Sequence, residues 1–181
     1  MIRFFMAALT ALALIQPTAA SAAESAYDFS FENIDGGALN LGDHTGKVLL
    51  VVNTATQCGN THQFGTLQKA WSTYRDQGLV VVGVSSNDFG QEPRQGAKIA
   101  EFCTANFQVD FPMADLTHVH GDGAHPFYKW VETKLGDKGM PSWNFFKYLI
   151  GRDGQIIDYY GTVDDPMDAK LRTAIETALK P

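Results

Sequence analysis

Two stretches of the chain are apolar almost without a break, "KVLLVVNTA" (47–55) and "LVVVGVSSN" (79–87). Such β-branched runs suit strands buried on both faces, in a sheet covered by helices. Between them, "NTHQFGTLQKAWSTYRDQG" (60–78) sets Phe64, Leu67, Ala70, Trp71 and Tyr74 at helical spacing and stops at Gly78. Strand, helix, strand in that order predicts a right-handed βαβ unit with parallel strands. A second helix is predicted where "QGAKIAEFCTANF" (95–107) puts Ile99, Phe102, Cys103 and Asn106 on one face, turning Cys103 inward or along the rim. "AHPFYKWVETKLG" (124–136) predicts a third, opened by Pro126. "DPMDAKLRTAIETALK" (165–180) predicts a closing helix, with Pro166 near its first turn and Leu171, Ala174, Ile175, Ala178 and Leu179 as its apolar face. Two hairpins complete the pattern. "YDFSFENIDGGALNLGDHTG" (27–46) alternates around Asp35-Gly36-Gly37, and "FFKYLIGRDGQIIDYYG" (145–161) turns at Asp153-Gly154.

Hairpin, then βαβα, α and ββα, is the order of an α/β thioredoxin-like fold: a central mixed β-sheet flanked by helices, with an N-terminal β-hairpin. The chain of 181 residues shows no internal repeat or linker and fills one core, so 23–181 is expected to be a single domain. The first residues are set apart. "MIRFFMAALTALALIQPTAASAAES" carries Arg3, an apolar run from Phe4 to Ile15, Pro17 and a small-residue end. This is the layout of a secretory signal peptide over 1–22, cut after Ala22 or Ala23. The apolar run is short of the about 20 residues a membrane-crossing helix needs, so no stable membrane insertion is expected. The expectation is an exported protein, in a bacterial periplasm. A formal net charge of −6, with no Lys/Arg cluster, argues against nucleic acid or an anionic membrane as partner.

Export changes how the two cysteines are read, because disulfides persist in oxidising compartments. Cys58, in "NTATQCGNTHQFG" (53–65), follows a strand and precedes a helix. In an open α/β sheet reactive groups collect at that edge. A thiolate there gains from the helix dipole and free backbone N–H groups. Gly59 permits close approach, and Asn60 or Thr61 is expected to cap the helix. The sequence continues Cys58-Gly59-Asn60-Thr61, without the second cysteine of a CxxC pair. Local disulfide exchange is therefore disfavoured. A lone attacking thiolate suits peroxides, since its sulfenic acid can condense with a distant thiol. The alternative is a static Cys58–Cys103 bridge in a non-catalytic domain. His118, His120, Asp122 and His125 are too loosely spaced in a glycine-containing loop to predict a metal site. No nucleotide-binding motif occurs, and no cofactor is expected.

The blocks "VVNTATQCGNTHQFGTLQKAW", "NDFGQEP", "IAEFCTANFQVDFP", "HVHGDGAHPFYKW" and "WNFFKYLIGRDGQI" together resemble the glutathione peroxidase family in its cysteine form, from about Tyr27 onward. The resemblance implies a peroxidatic Cys58 working with Gln91, Trp143 and Asn144. An amide and an indole N–H can hold a thiolate and polarise a peroxide without adding charge, and Asn can both donate and accept. Read without the family, Gln91 is a loop residue, Trp143 a core aromatic and Asn144 a turn former. Two departures from the family pattern stand out. Gly90 runs straight into Gln91, one residue short, and Ser86 takes the place of a family cysteine.

A cysteine at Cys103 resembles that of family members whose second thiol resolves the sulfenic acid and which thioredoxin-type proteins reduce. For Cys58 and Cys103 to join, the second helix must unwind or swing, and its "EPRQGAK" opening suits that. The short "KLGDKGMPSW" segment (134–143), set against the assembly insertion of tetrameric relatives, implies a monomer with an open site. Such a site admits organic and lipid hydroperoxides as well as hydrogen peroxide. With no basic cluster evident near Cys58, a thioredoxin-like donor is expected rather than glutathione. The competing readings are an exported thiol-disulfide oxidoreductase and a redox-sensing domain with a stable bridge.

Overall fold

The computed structural model describes residues 23–181, so the expected signal peptide lies outside the described residues. Strands β1 (Ser30–Glu32) and β2 (Ala38–Asn40) form the N-terminal hairpin, with Phe31 opposite Leu39. The main sheet has the order β5 (Met113–Ala114), β4 (Leu79–Ser85), β3 (Val48–Thr54), β6 (Lys147–Ile150), β7 (Ile156–Tyr160). β3 pairs parallel with β4, in register from Val48 opposite Leu79 to Thr54 opposite Ser85, and β4 pairs parallel with β5. β6 runs antiparallel to β3, and β7 antiparallel to β6. The mixed sheet and the parallel βαβ unit match the sequence expectation.

Every residue of β3 and β4 is buried, as their unbroken apolar runs require. Alternation divides them between two cores. Val48, Leu50 and Val52 face Phe64 and Leu67 of α1 (Gln63–Tyr74), Ile99 and Cys103 of α2 (Ala97–Phe107), and Leu171 and Ile175 of α4 (Ala169–Ala178). Leu49, Val51, Val80 and Val82 face the hairpin and Phe127, Trp130 and Val131 of α3 (Pro126–Leu135). Cys58 and Cys103 share the first of these cores.

Several local expectations are corrected. Pro166 lies ahead of α4, which starts after Asp168, because the turn around Asp165 is held by its own side chain: the Met167 N–H donates to Asp165 Oδ1. Asn106 is exposed rather than inward; its amide donates back to the Phe102 carbonyl one turn earlier in α2. The two-residue β5 was not expected. It is too short to show a period, and the rest of the fold specifies it: Ile34 N–H donates to the Met113 carbonyl and Asp115 N–H to the Glu32 carbonyl. The N-terminal hairpin thereby covers that sheet edge. The β6–β7 turn needs its glycine, since Gly154 has φ +76° and a Cβ there would come 2.7 Å from the Tyr27 ring.

Candidate active site

Cys58 sits in the turn between β3 and α1, 7% exposed. α1 begins only at Gln63, after His62, so the expected capping by Asn60 or Thr61 does not occur. Both side chains serve the cysteine's own turn instead. Thr61 Oγ1 accepts the Cys58 N–H at 3.0 Å and lies 2.6 Å from the Cys58 carbonyl, to which it can donate. The Asn60 N–H donates to Cys58 Sγ at 3.4 Å, and its side-chain amide reaches the sulfur at 4.0 Å. The backbone donor anticipated from the helix end is thus supplied by the turn before it.

Three segments converge beside this turn. Gln91 joins it through the backbone, its carbonyl accepting the Gln57 N–H at 3.0 Å. The Gln91 side chain accepts from the Asn144 amide, Nδ2 to Oε1 at 3.0 Å. The one-residue-shorter loop therefore still places Gln91 against Asn144. Asn144 is fully buried, and its Oδ1 has no protein donor among the described residues. Trp143 is no core aromatic: it is 41% exposed, with its ring 5.4 Å from that of Phe89. Hydrogen bonds to Cys58 Sγ come from Asn60, and among the described residues neither the Gln91 amide nor the Trp143 indole donates to it.

Sequence reasoning missed the residues that hold these segments in place. Asn53, buried in β3, donates its side chain to the Trp143 carbonyl at 3.0 Å and accepts the Phe146 N–H at 2.9 Å. Between them Phe145 takes φ 62°, and its ring meets Phe64 of α1 edge-on at 5.4 Å. Lys147, with no exposure at all, donates its Nζ to the Phe145 carbonyl at 2.7 Å. Burial lowers the Lys147 pKa to about 8, against the pull of Asp165 and Asp164. An asparagine and a lysine interrupting apolar strands were the available signals.

Cys103 is fully buried on α2, and both cysteines are free thiols. Burial and then the nearby Glu92 carboxylate push the Cys103 thiol up to about 12, with Arg94 opposing. Two cations come near the cysteine turn, where the expectation was of no basic cluster around Cys58. Arg94 and Lys98 line, with Gln57, Pro93 and Gln95, an open concavity of about 630 Å³ next to the cysteine turn. They come from a segment distant in sequence, which is why local composition did not show them. The histidines have local roles: His118 Nδ1 bonds Asp88 at 2.7 Å, and His125 Nδ1 accepts the Phe127 N–H at the start of α3.

The family profile described as "Glutathione peroxidase" matches residues 26–132. A glutathione peroxidase of Lactococcus lactis is 42% identical over 143 residues, 77% of this chain and 91% of the relative. A "glutathione peroxidase-like peroxiredoxin" of Schizosaccharomyces pombe is 36% identical, over 84% of this chain and 98% of the relative. A "hydroperoxy fatty acid reductase" of Synechocystis is 37% identical, over 81% and 92%. Among solved structures, that titled "Trgpx in apo form" superposes with a TM-score of 0.69 at 34% identity, covering 87% of this chain and 97% of the other. A thioredoxin-family interchange protein of Chlorobium tepidum, at 17% identity and a TM-score of 0.63 over 84% of this chain and 93% of its own, shares the fold alone. With the profile spanning most of the domain and relatives matched over nearly their whole length, the chain belongs to the glutathione peroxidase family and is a peroxidase on a thioredoxin-like fold.

Proposed function

We propose that the protein reduces hydrogen peroxide and organic or lipid hydroperoxides by a two-cysteine cycle, with a thioredoxin-like protein as electron donor. The observation that carries this reading is a lone thiol at the β3–α1 turn, beside a paired Gln91–Asn144 amide, with a second free thiol buried in the same core. The Cys58 thiolate attacks the terminal peroxide oxygen, the O–O bond breaks, and water or alcohol leaves carrying a proton. Gln91, Trp143 and Asn144 orient and polarise the peroxide. The open Asn144 Oδ1 offers the acceptor such a proton-bearing group needs. Cys103 then displaces hydroxide from the sulfenic acid, which departs as water with the thiol proton, leaving a disulfide.

The half-exposed Trp143 and its neighbour Phe89 offer an apolar shelf to an alkyl hydroperoxide. The name carried by the Synechocystis relative supports that substrate class. Release by a cleaved leader into a periplasm is supported by the 1–22 pattern, and a monomer by the short 134–143 segment.

Peroxide loss followed with Cys58→Ser and Cys103→Ser variants, with thioredoxin or glutathione supplied, tests the reading. Cys58→Ser is expected to abolish consumption. Cys103→Ser should still consume a single equivalent while losing thioredoxin-driven turnover. Peroxide loss that survives Cys58→Ser overturns the proposal. Thiol exchange without peroxide consumption would instead favour a disulfide oxidoreductase, and a bridge that never turns over a redox-sensing domain.

A further inference from the structure

Glu92 and Arg94 join the turn that carries Cys58 to the helix that carries Cys103. The Glu92 carboxylate, 2% exposed, accepts the Thr56 N–H at 2.8 Å, the Thr56 hydroxyl at 2.6 Å and the Arg94 N–H at 3.1 Å. Thr56 is two residues ahead of Cys58. Arg94 Nη1 donates to Thr56 Oγ1 at 2.6 Å, and its guanidinium stands 4.3 Å from the centroid of the Phe102 ring, next to Cys103 on α2. A single side chain thus spans the two elements. α2 itself lacks the favoured residues at its ends, where a bond from the Gly96 N–H to Asp115 holds the start. Gly96 precedes it without a side-chain cap, and at its C-terminus Gln108, not glycine, takes the left-handed conformation at φ 56°.

We propose that Arg94 is a positioning residue for the resolving step: stacked on Phe102 and anchored by Thr56 and Glu92, it latches α2 over Cys103 and sets how long Cys58 remains a sulfenic acid. This rests on the resolving role given to Cys103 above. In the latched step no bond changes. On release, the Cys58–Cys103 S–S bond forms, the Cys58 S–O bond breaks, and hydroxide leaves as water with the Cys103 proton. A sulfenic acid held longer meets a second peroxide more often and goes on to sulfinic acid, so the latch also sets sensitivity to over-oxidation.

Single-turnover kinetics on the full protein test this, with rapid-quench alkylation and mass spectrometry resolving sulfenic, disulfide and sulfinic forms. In Arg94→Ala the reaction of Cys58 with hydrogen peroxide should keep its rate, while the 58–103 disulfide forms roughly 5- to 10-fold faster, the worth of a partly shielded cation–π contact. Arg94→Lys, which keeps the charge but not the planar stack, should fall between. Both variants should need more peroxide to reach the sulfinic acid. Hydrogen exchange of the α2 amides in Arg94→Lys gives a second readout, with faster exchange expected there than in the wild type. A disulfide that forms at the wild-type rate or slower in Arg94→Ala, or unchanged α2 exchange, overturns the latch alone. A wild type that never forms the 58–103 disulfide overturns the resolving role of Cys103 and the latch with it.

Discussion

At Asn53, the penultimate residue of β3, one amide side chain replaces strand pairing that the Trp143–Asn144 turn cannot make for itself. Its backbone N–H donates to the Phe146 carbonyl, its carbonyl accepts the Phe145 N–H at 2.6 Å, and its side chain binds the Trp143 carbonyl and Phe146 N–H. Asn53 and its bond to the Phe146 N–H are buried and its bond to the Trp143 carbonyl partly so, and removing the amide orphans a donor away from water and an acceptor at the edge of the core. Asn53→Leu is expected to cost about 2–4 kcal/mol in urea denaturation. Peroxidase kcat should fall with it, since the turn bearing Asn144 would lose its anchor. A variant as stable and active as the parent would show that the turn is held by packing of Phe145 alone. In the sequence, Asn53 reads only as a polar residue near a strand end. Its partners lie some 90 positions away, which no local pattern displays. Cys58 was legible for the opposite reason, since its surroundings of strand, turn and helix are all contiguous.

α2 has to satisfy two demands, burying Cys103 and later releasing it. Ile99 and Cys103 are its only fully buried residues, and Asp115 Oδ1 fastens its start by accepting the Gly96 N–H at 3.1 Å. With the Cys103 thiol pushed up to about 12 while the helix is closed, the group is protonated and shielded at neutral pH, and reacts only through opening. Iodoacetamide should therefore modify Cys58 first and Cys103 slowly, at a rate limited by local unfolding. Asp115→Ala should quicken Cys103 labelling several-fold, by loss of the one hydrogen bond that the Gly96 N–H makes to a side chain. Mass-resolved labelling time courses read both sites, and equal labelling of the two thiols in the native protein would refute the closed helix. The helix and its buried face were predicted from apolar spacing. Where that face ends was not, because Asn106 shares its angular position but falls in the last turn of α2 and is exposed.

At the scale of the whole molecule, Lys147 is a fully buried cation that forms no ion pair among the described residues and ties the Phe145 carbonyl to the 161–165 turn through a longer bond to the Gly161 carbonyl at 3.4 Å. Burial lowers its pKa from 10.5 to about 8. Between these values the unfolded chain holds a proton that the folded chain has released, so this group adds stability as pH rises through that window. Relative to Lys147→Met, the wild type should gain about 2 kcal/mol between about pH 7.5 and about pH 9.5. Denaturation midpoints of the two proteins, compared at each pH, cancel the opposing contribution of Cys103, whose raised pKa removes stability above its ordinary value of 9.0. A difference between the two that does not change with pH would mean that Lys147 keeps its proton in the fold. The sequence by itself determined the βαβ core, the four helices, both hairpins and the cysteine at the strand's end, because periodicity and turn chemistry are properties of neighbouring residues. The family resemblance named Gln91, Trp143 and Asn144 beside that cysteine, and tertiary structure alone decided how its surroundings are joined: the bond between the Gln91 and Asn144 amides, the Asn53 and Lys147 anchors, and the Thr56–Glu92–Arg94 link to α2. Those contacts join segments that become neighbours only when β3, β4 and β6 align their ends in one sheet, and single hydrogen bonds of that kind leave no repeat in the sequence to read.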